Sequence, residues 1–123
     1  MSPWLFVAAL NGFLAVASGA FAAHGLQGRL DAHALSVFET AARYHMYHAL
    51  AIGLAAFALH DAAAGAATVA SAFFLAGILL FSGSLYLLAL TGAKGFAFVT
   101  PFGGVCFLIG WGALALAATR LKV

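Results

Sequence analysis

Residues 62–93 read AAAGAATVASAFFLAGILLFSGSLYLLALTGA, an unbroken run from Ala62 to Ala93 without an acidic or basic side chain. A helix needs roughly 20 apolar residues to cross the hydrocarbon core of a bilayer. The run therefore contains one full crossing, placed within residues 66–90, with loose ends. Alanine and leucine dominate it without alternation. The strands of a membrane barrel alternate apolar and polar residues, with a turn about every ten positions. The pattern is helical, and it sets the class of the whole chain.

Outward toward the C-terminus, Thr91 to Gly95 with Lys94 makes a short turn, and Phe96 to Thr100 is apolar again. Proline suits the first turn of a helix, so Thr100 and Pro101 open a further span over 101–119. Arg120 and Lys122 follow it as a basic anchor. Toward the N-terminus, His60 and Asp61 close a span over 44–60 that is short on its own. Before it, Ala34, Leu35, Val37, Phe38 and Ala41 recur at helical spacing, and Asp31 is a good N-cap residue. Glu39 and Arg43 stand four apart, where opposite charges pair on one helix face. Residues 31–43 thus form a short amphipathic segment that either lies along the membrane surface or runs on into the second span. His24 to Asp31, with Gly25 and Gly28, is a loop. The first span covers 4–23. Ala20-Phe21-Ala22 looks like a signal-peptide cleavage site, but no basic region precedes it and the apolar run is too long, so a retained helix is expected.

Composition agrees with this layout. The chain has 123 residues, 66% hydrophobic and 7% charged, against about a quarter charged in a soluble domain. So little charge cannot cover a water-facing surface, and no basic cluster exists to hold nucleic acid. The lone Cys106 allows no internal disulfide. The expectation is an all-α protein, one integral membrane domain over 1–123, built as a four-transmembrane-helix bundle with the amphipathic segment between helices 1 and 2. Four crossings put both termini on one side. Basic residues divide two against three between the sides, so the positive-inside count is nearly even. The adjacent Arg120 and Lys122 tip the termini toward the cytoplasm.

Lipid gives no hydrophobic push between helices, so close packing needs small residues. Ala8, Gly12, Ala15, Gly19 and Ala23 supply them in the first span, Ala72, Ala76 and Gly83 in the third, and Gly103, Gly110 and Gly112 in the fourth. Polar residues gather at the ends of spans 1 and 3 and the starts of 2 and 4. His24, Tyr44, His48, Ser82, Ser84 and Tyr86 are therefore expected as one polar cluster just inside that membrane surface.

Several of these segments carry a resemblance. Phe21-Ala22-Ala23-His24-Gly25-Leu26, Phe38-Glu39-Thr40-Ala41 with Tyr44 and His48-Ala49-Leu50, Leu80-Phe81-Ser82-Gly83-Ser84-Leu85-Tyr86, Thr100-Pro101-Phe102-Gly103-Gly104 and Gly110-Trp111 occur in an order similar to the domain of unknown function 423 family. That family takes in the YgdD-like small bacterial inner-membrane proteins and a small animal mitochondrial transmembrane protein. The resemblance implies a small multi-pass protein of the bacterial inner membrane and brings no established activity. At His45 it leads one to expect glutamine, which places His45 outside the shared pattern.

Four functions compete on the residues. His24, His45 and His48 are candidate ligands for a metal or haem, but no Cys, Asp or Glu completes the set and no cofactor is expected. Intramembrane polar groups mark transport pathways, yet one protomer is too small for a wide path, so a proton or solute transporter would be an oligomer. Ser82 or Ser84 beside His48 resembles a nucleophile and base without an acid to orient the histidine, and no enzyme is expected. The remaining reading is an accessory, structural or assembly role, with the lipid bilayer, further copies or a larger membrane complex as partners and no nucleic acid.

Overall fold

The computed structural model describes residues 1–122. Helix α1 spans Pro3–His24, with the Ser2 hydroxyl accepting the Leu5 N–H and Pro3 in the first turn. Helix α2 spans Ala32–Phe57, and the Asp31 carboxylate accepts the Ala34 N–H at 2.7 Å. A 3₁₀ turn, Asp61–Ala63, leads into α3, Ala64–Gly77. A π-helical turn over Ile78–Ser82 joins α3 to α4, Gly83–Thr91. Another 3₁₀ turn, Lys94–Phe98, precedes α5, Thr100–Arg120. With α3, the π turn and α4 forming one continuous rod, the described residues make an all-helical bundle of four rods.

Three of the rods, Pro3–His24, Asp61–Thr91 and Lys94–Arg120, are long and apolar enough to cross a membrane. Helix α2 is long enough at 26 residues, but Glu39, Arg43, Tyr44, His45, Tyr47 and His48 occupy its middle. Residues 31–43 are not a separate interfacial segment, as one expectation had it. They are the first half of α2. The cause is local: Asp31 caps the helix, and no Pro or Gly interrupts the chain from Ala32 to Ile52. The break that does occur follows Thr91, where Gly92 takes φ 70° and donates its N–H to the Leu88 carbonyl at 2.8 Å. A left-handed residue at this position ends a helix, and glycine adopts it without a Cβ penalty.

Helix α1 packs on α2, α3 packs on α5, and α2 joins the two pairs through its contacts with α3 and α4. The face that α1 buries is Ala8, Asn11, Ala15 and Ala22. Gly12 and Gly19, expected in this stripe, face open space, as does Gly112 on α5. The buried line steps by seven residues, two helical turns, and the two glycines lie on the neighbouring line. Between α3 and α5 the fit is reciprocal: the Phe107 ring lies on Gly77, and the Phe74 ring lies on Gly110, where a Cβ would fall 2.6 Å from it. Gly103 faces the backbone of Leu80 and Phe81 in the π turn. A π turn adds one residue to a helical turn, with i→i+5 hydrogen bonds, and is frequent at functional sites. Here the Gly83 N–H reaches back five residues to the Ile78 carbonyl.

Candidate functional site

The polar side chains do not gather in one cluster. They divide into three ties between helices. The first joins α1, α2 and α4. His45 lies midway along α2, only 6% exposed. Its Nε2 is 2.9 Å from Asn11 Oδ1, and its Nδ1 is 3.0 Å from the Tyr86 hydroxyl. The Asn11 amide nitrogen donates to the Val7 carbonyl at 2.9 Å, which leaves Oδ1 as acceptor. The chain of donors then runs one way: Tyr86 O–H to His45 Nδ1, His45 Nε2–H to Asn11 Oδ1, and Asn11 N–H to backbone. The Phe38 ring covers Tyr86 at a centroid distance of 4.9 Å.

The second tie joins α2 to α5. Trp111 Nε1–H donates to His48 Nε2 at 3.1 Å. Indole nitrogen only donates, so Nε2 accepts and Nδ1 carries the proton, which it gives to the Tyr44 carbonyl at 2.7 Å. The imidazole lies flat on Phe107, with centroids 3.5 Å apart and planes 6° from parallel. Both ring nitrogens are taken. The Tyr44 ring packs on Phe81 at 4.9 Å.

The third group serves the π turn. Ser82 donates to the Ala41 carbonyl on α2 at 2.9 Å. Ser84 Oγ is 2.9 Å from the Phe81 carbonyl and 2.6 Å from Thr100 Oγ1. Each hydroxyl has one proton: Ser84 gives its own to Phe81, and Thr100 donates to Ser84 at 2.6 Å in preference to the Phe96 carbonyl at 3.4 Å. Pro101, behind Thr100, lies in the first turn of α5. The two serines thus act on backbone carbonyls, the common role of serine in membrane helices.

Two expected partners stand elsewhere. His24 is exposed in the last turn of α1 and takes no part in these bonds. Arg43 gives an Nη2 hydrogen to Thr40 Oγ1 at 3.2 Å, one turn away, where the spacing had pointed to Glu39. Among the described residues no three His, Cys, Asp or Glu side chains come together as a metal set. The expected cluster left out Asn11, His45 and Trp111, which supply the partners in the first two ties. The signal available for Asn11 was its place on the line of Ala8 and Ala15.

A side-opening cavity of about 570 Å³ lies between α2 and α5, lined among others by Tyr44, Tyr47, His48, Leu54, Phe107 and Trp111. Its wall is apolar and aromatic, with the His48–Trp111 tie in its floor.

A family model described as a protein of unknown function, DUF423, matches residues 18–104. The UPF0382 membrane protein YwdK of Bacillus subtilis is 44% identical over 122 residues, 98% of each chain. A UPF0382 membrane protein of Haemophilus influenzae is 46% identical over 120 residues, 97% of this chain and 95% of that one. The UPF0382 inner membrane protein YgdD of Escherichia coli K12 is 43% identical over 118 residues, 96% of this chain and 90% of that one. No solved structure matches the chain. With a family model spanning most of the sequence and relatives aligned over nearly all of it, this chain belongs to the DUF423 family.

Proposed function

We propose that all four rods cross the bacterial inner membrane, with both termini in the cytoplasm, and that the protein is an accessory, structural or assembly subunit beside other membrane proteins. The relatives' names support the membrane, and the inner membrane is named for the Escherichia coli protein. The crossing of α2 is supported by where its polar groups go. His45 and His48 are buried at 6% and 4% exposure, and a polar group turned inward with partners is tolerated at membrane depth. Arg43 faces outward, and its long stem carries the charge toward the interface.

One observation carries the accessory role. Every buried side-chain nitrogen and oxygen among the described residues has a partner inside the bundle. Of the buried polar side chains, Asn11, His45, His48, Ser82 and Ser84 tie one helix to another, and Ser71 donates to the Ala67 carbonyl of its own helix. A metal or haem at His24 and His48 would require His48 to give up Trp111 or the Tyr44 carbonyl. The surface assigned here to a partner is the aromatic cavity between α2 and α5, which is open at the side of the bundle.

Two measurements test this reading. In a Cys106→Ser background, Arg29→Cys is expected to react with an impermeant maleimide from outside intact cells, and Asp61→Cys only after the cytoplasmic face is opened. Labelling of both from one side would remove the crossing of α2. A photo-crosslinking residue at Leu108, beside the cavity, is expected to give a discrete product with another membrane protein in native membranes, and one at Phe13 on α1 only lipid. Proton or solute flux through the purified protein alone in vesicles would overturn the accessory reading in favour of transport.

A further inference from the structure

A second cavity, about 620 Å³, lies at the end of the bundle that carries the α1–α2 loop. It is bounded by the start of α2, the end of α4 and the 94–98 turn. We propose that it seats the headgroup of an amino-phospholipid of the phosphoethanolamine type. The inference rests on the reading that the bundle crosses the membrane, which puts this end at headgroup level.

The lining divides by depth and by sign. Val37, Leu88 and Ala89 form the inner wall, and Ala89 is buried at 5% exposure. Phe98 stands at the edge with 78% of its surface exposed, an apolar side chain placed where acyl chains would run. Asp31 and Lys94 supply one negative and one positive charge to the same cavity, from different elements. His33 adds a ring nitrogen. The volume falls within the usual range of ligand sites, about 300–1,000 Å³.

The two charges select among headgroups. A glycerol headgroup carries only the negative phosphate, which suits Lys94 and is repelled by Asp31. A choline headgroup has both signs, but its quaternary ammonium has no N–H to give a carboxylate. A phosphoethanolamine has the phosphate for Lys94 and an ammonium with three donors for Asp31. Asp31 already accepts the Ala34 N–H through Oδ1, and its other oxygen is the acceptor this requires.

The test uses the full chain in vesicles of equal parts phosphatidylethanolamine, phosphatidylglycerol and phosphatidylcholine, followed by gentle detergent release and native mass spectrometry. Phosphatidylethanolamine is expected to be retained about fivefold over each competitor, the ratio that one exposed charged contact supplies. Asp31→Asn keeps a side-chain oxygen for the helix cap and is expected to erase that preference. Lys94→Gln is expected to lower retention of all three lipids. Equal retention by the native chain, a preference for phosphatidylglycerol, or a preference unchanged in both variants would overturn the proposal while the membrane-crossing reading stands. Release of the chain from vesicles by alkaline carbonate would remove both.

Discussion

Gly103→Ala is expected to destabilise the bundle by about 3 kcal/mol, the upper part of the range for adding volume to a packed interior. The reason is what the added methyl would meet. At most tight positions the neighbour is a side chain that can turn away. At Gly103 the nearest atoms are backbone: Phe81 N and, at 2.7 Å, the Leu80 carbonyl carbon. Both belong to the π turn, which cannot rotate aside without moving α3 and α4 together. The variant must push α5 outward, and that strains the Ser84–Thr100 contact, held at 2.6 Å. Gly112→Ala is the matched control on the same helix. Its Cβ would enter open space, and alanine is the better helix former by roughly 0.5–1 kcal/mol. Thermal unfolding in one detergent should therefore show a large fall for Gly103→Ala and no fall for Gly112→Ala. Equal melting of the two variants would mean that α5 does not press on the π turn.

The helical class was legible because long apolar runs need no partner to be recognised. Residues 62–93 exclude strands by a long apolar run without alternation, and Asp31, Lys94 and Pro101 mark helix ends by local chemistry that needs no tertiary context. The site was less legible, for two physical reasons. The first is the start of α2. With the span begun at residue 44, Tyr44 and His48 stand at a helix end and sort with His24. With the helix begun at Ala32, the same residues lie at mid-height, and His24 is left behind at the end of α1. The second is rotation. In water, an apolar stripe tells which face of a helix turns inward. In lipid both faces are apolar, so the face is chosen by small residues and polar ties. Gly12 and Ala15 are equally good candidates by composition, and the structure buries Ala15 and exposes Gly12 to open space. Nothing along the sequence fixes that Asn11 and His45 share one level, since this depends on how far α1 slides along α2.

His45→Leu is expected to cost about 2 kcal/mol, and His45→Gln much less. Leucine fills most of the volume but leaves Asn11 Oδ1 without a partner and takes the His45 acceptor from the Tyr86 hydroxyl. A buried orphan of this kind costs roughly 1–3 kcal/mol. Hydrogen bonds between membrane helices average about 0.6 kcal/mol, because the separated helices also find partners, and this holds the estimate below the sum of two full orphans. The two losses are unequal. Asn11 is buried at 8% exposure and cannot turn its oxygen to anything else while its amide nitrogen holds the Val7 carbonyl. Tyr86 is only half-buried, and its hydroxyl can reorient. Most of the cost therefore falls on the α1–α2 contact. Glutamine offers an amide N–H for Asn11 Oδ1 and a carbonyl for the Tyr86 O–H, the same donor and acceptor in the same order as the neutral imidazole. It is also the residue that the family resemblance leads one to expect at this position. On this argument histidine and glutamine are two solutions to one tie. Unfolding in detergent of the native chain, His45→Gln, His45→Leu and His45→Leu with Asn11→Leu separates the terms. The double variant removes the orphan on α1 and should recover part of the loss. If His45→Gln melts with His45→Leu, the ring does more than link Asn11 to Tyr86. If His45→Leu melts with the native chain, the tie does not hold the bundle together.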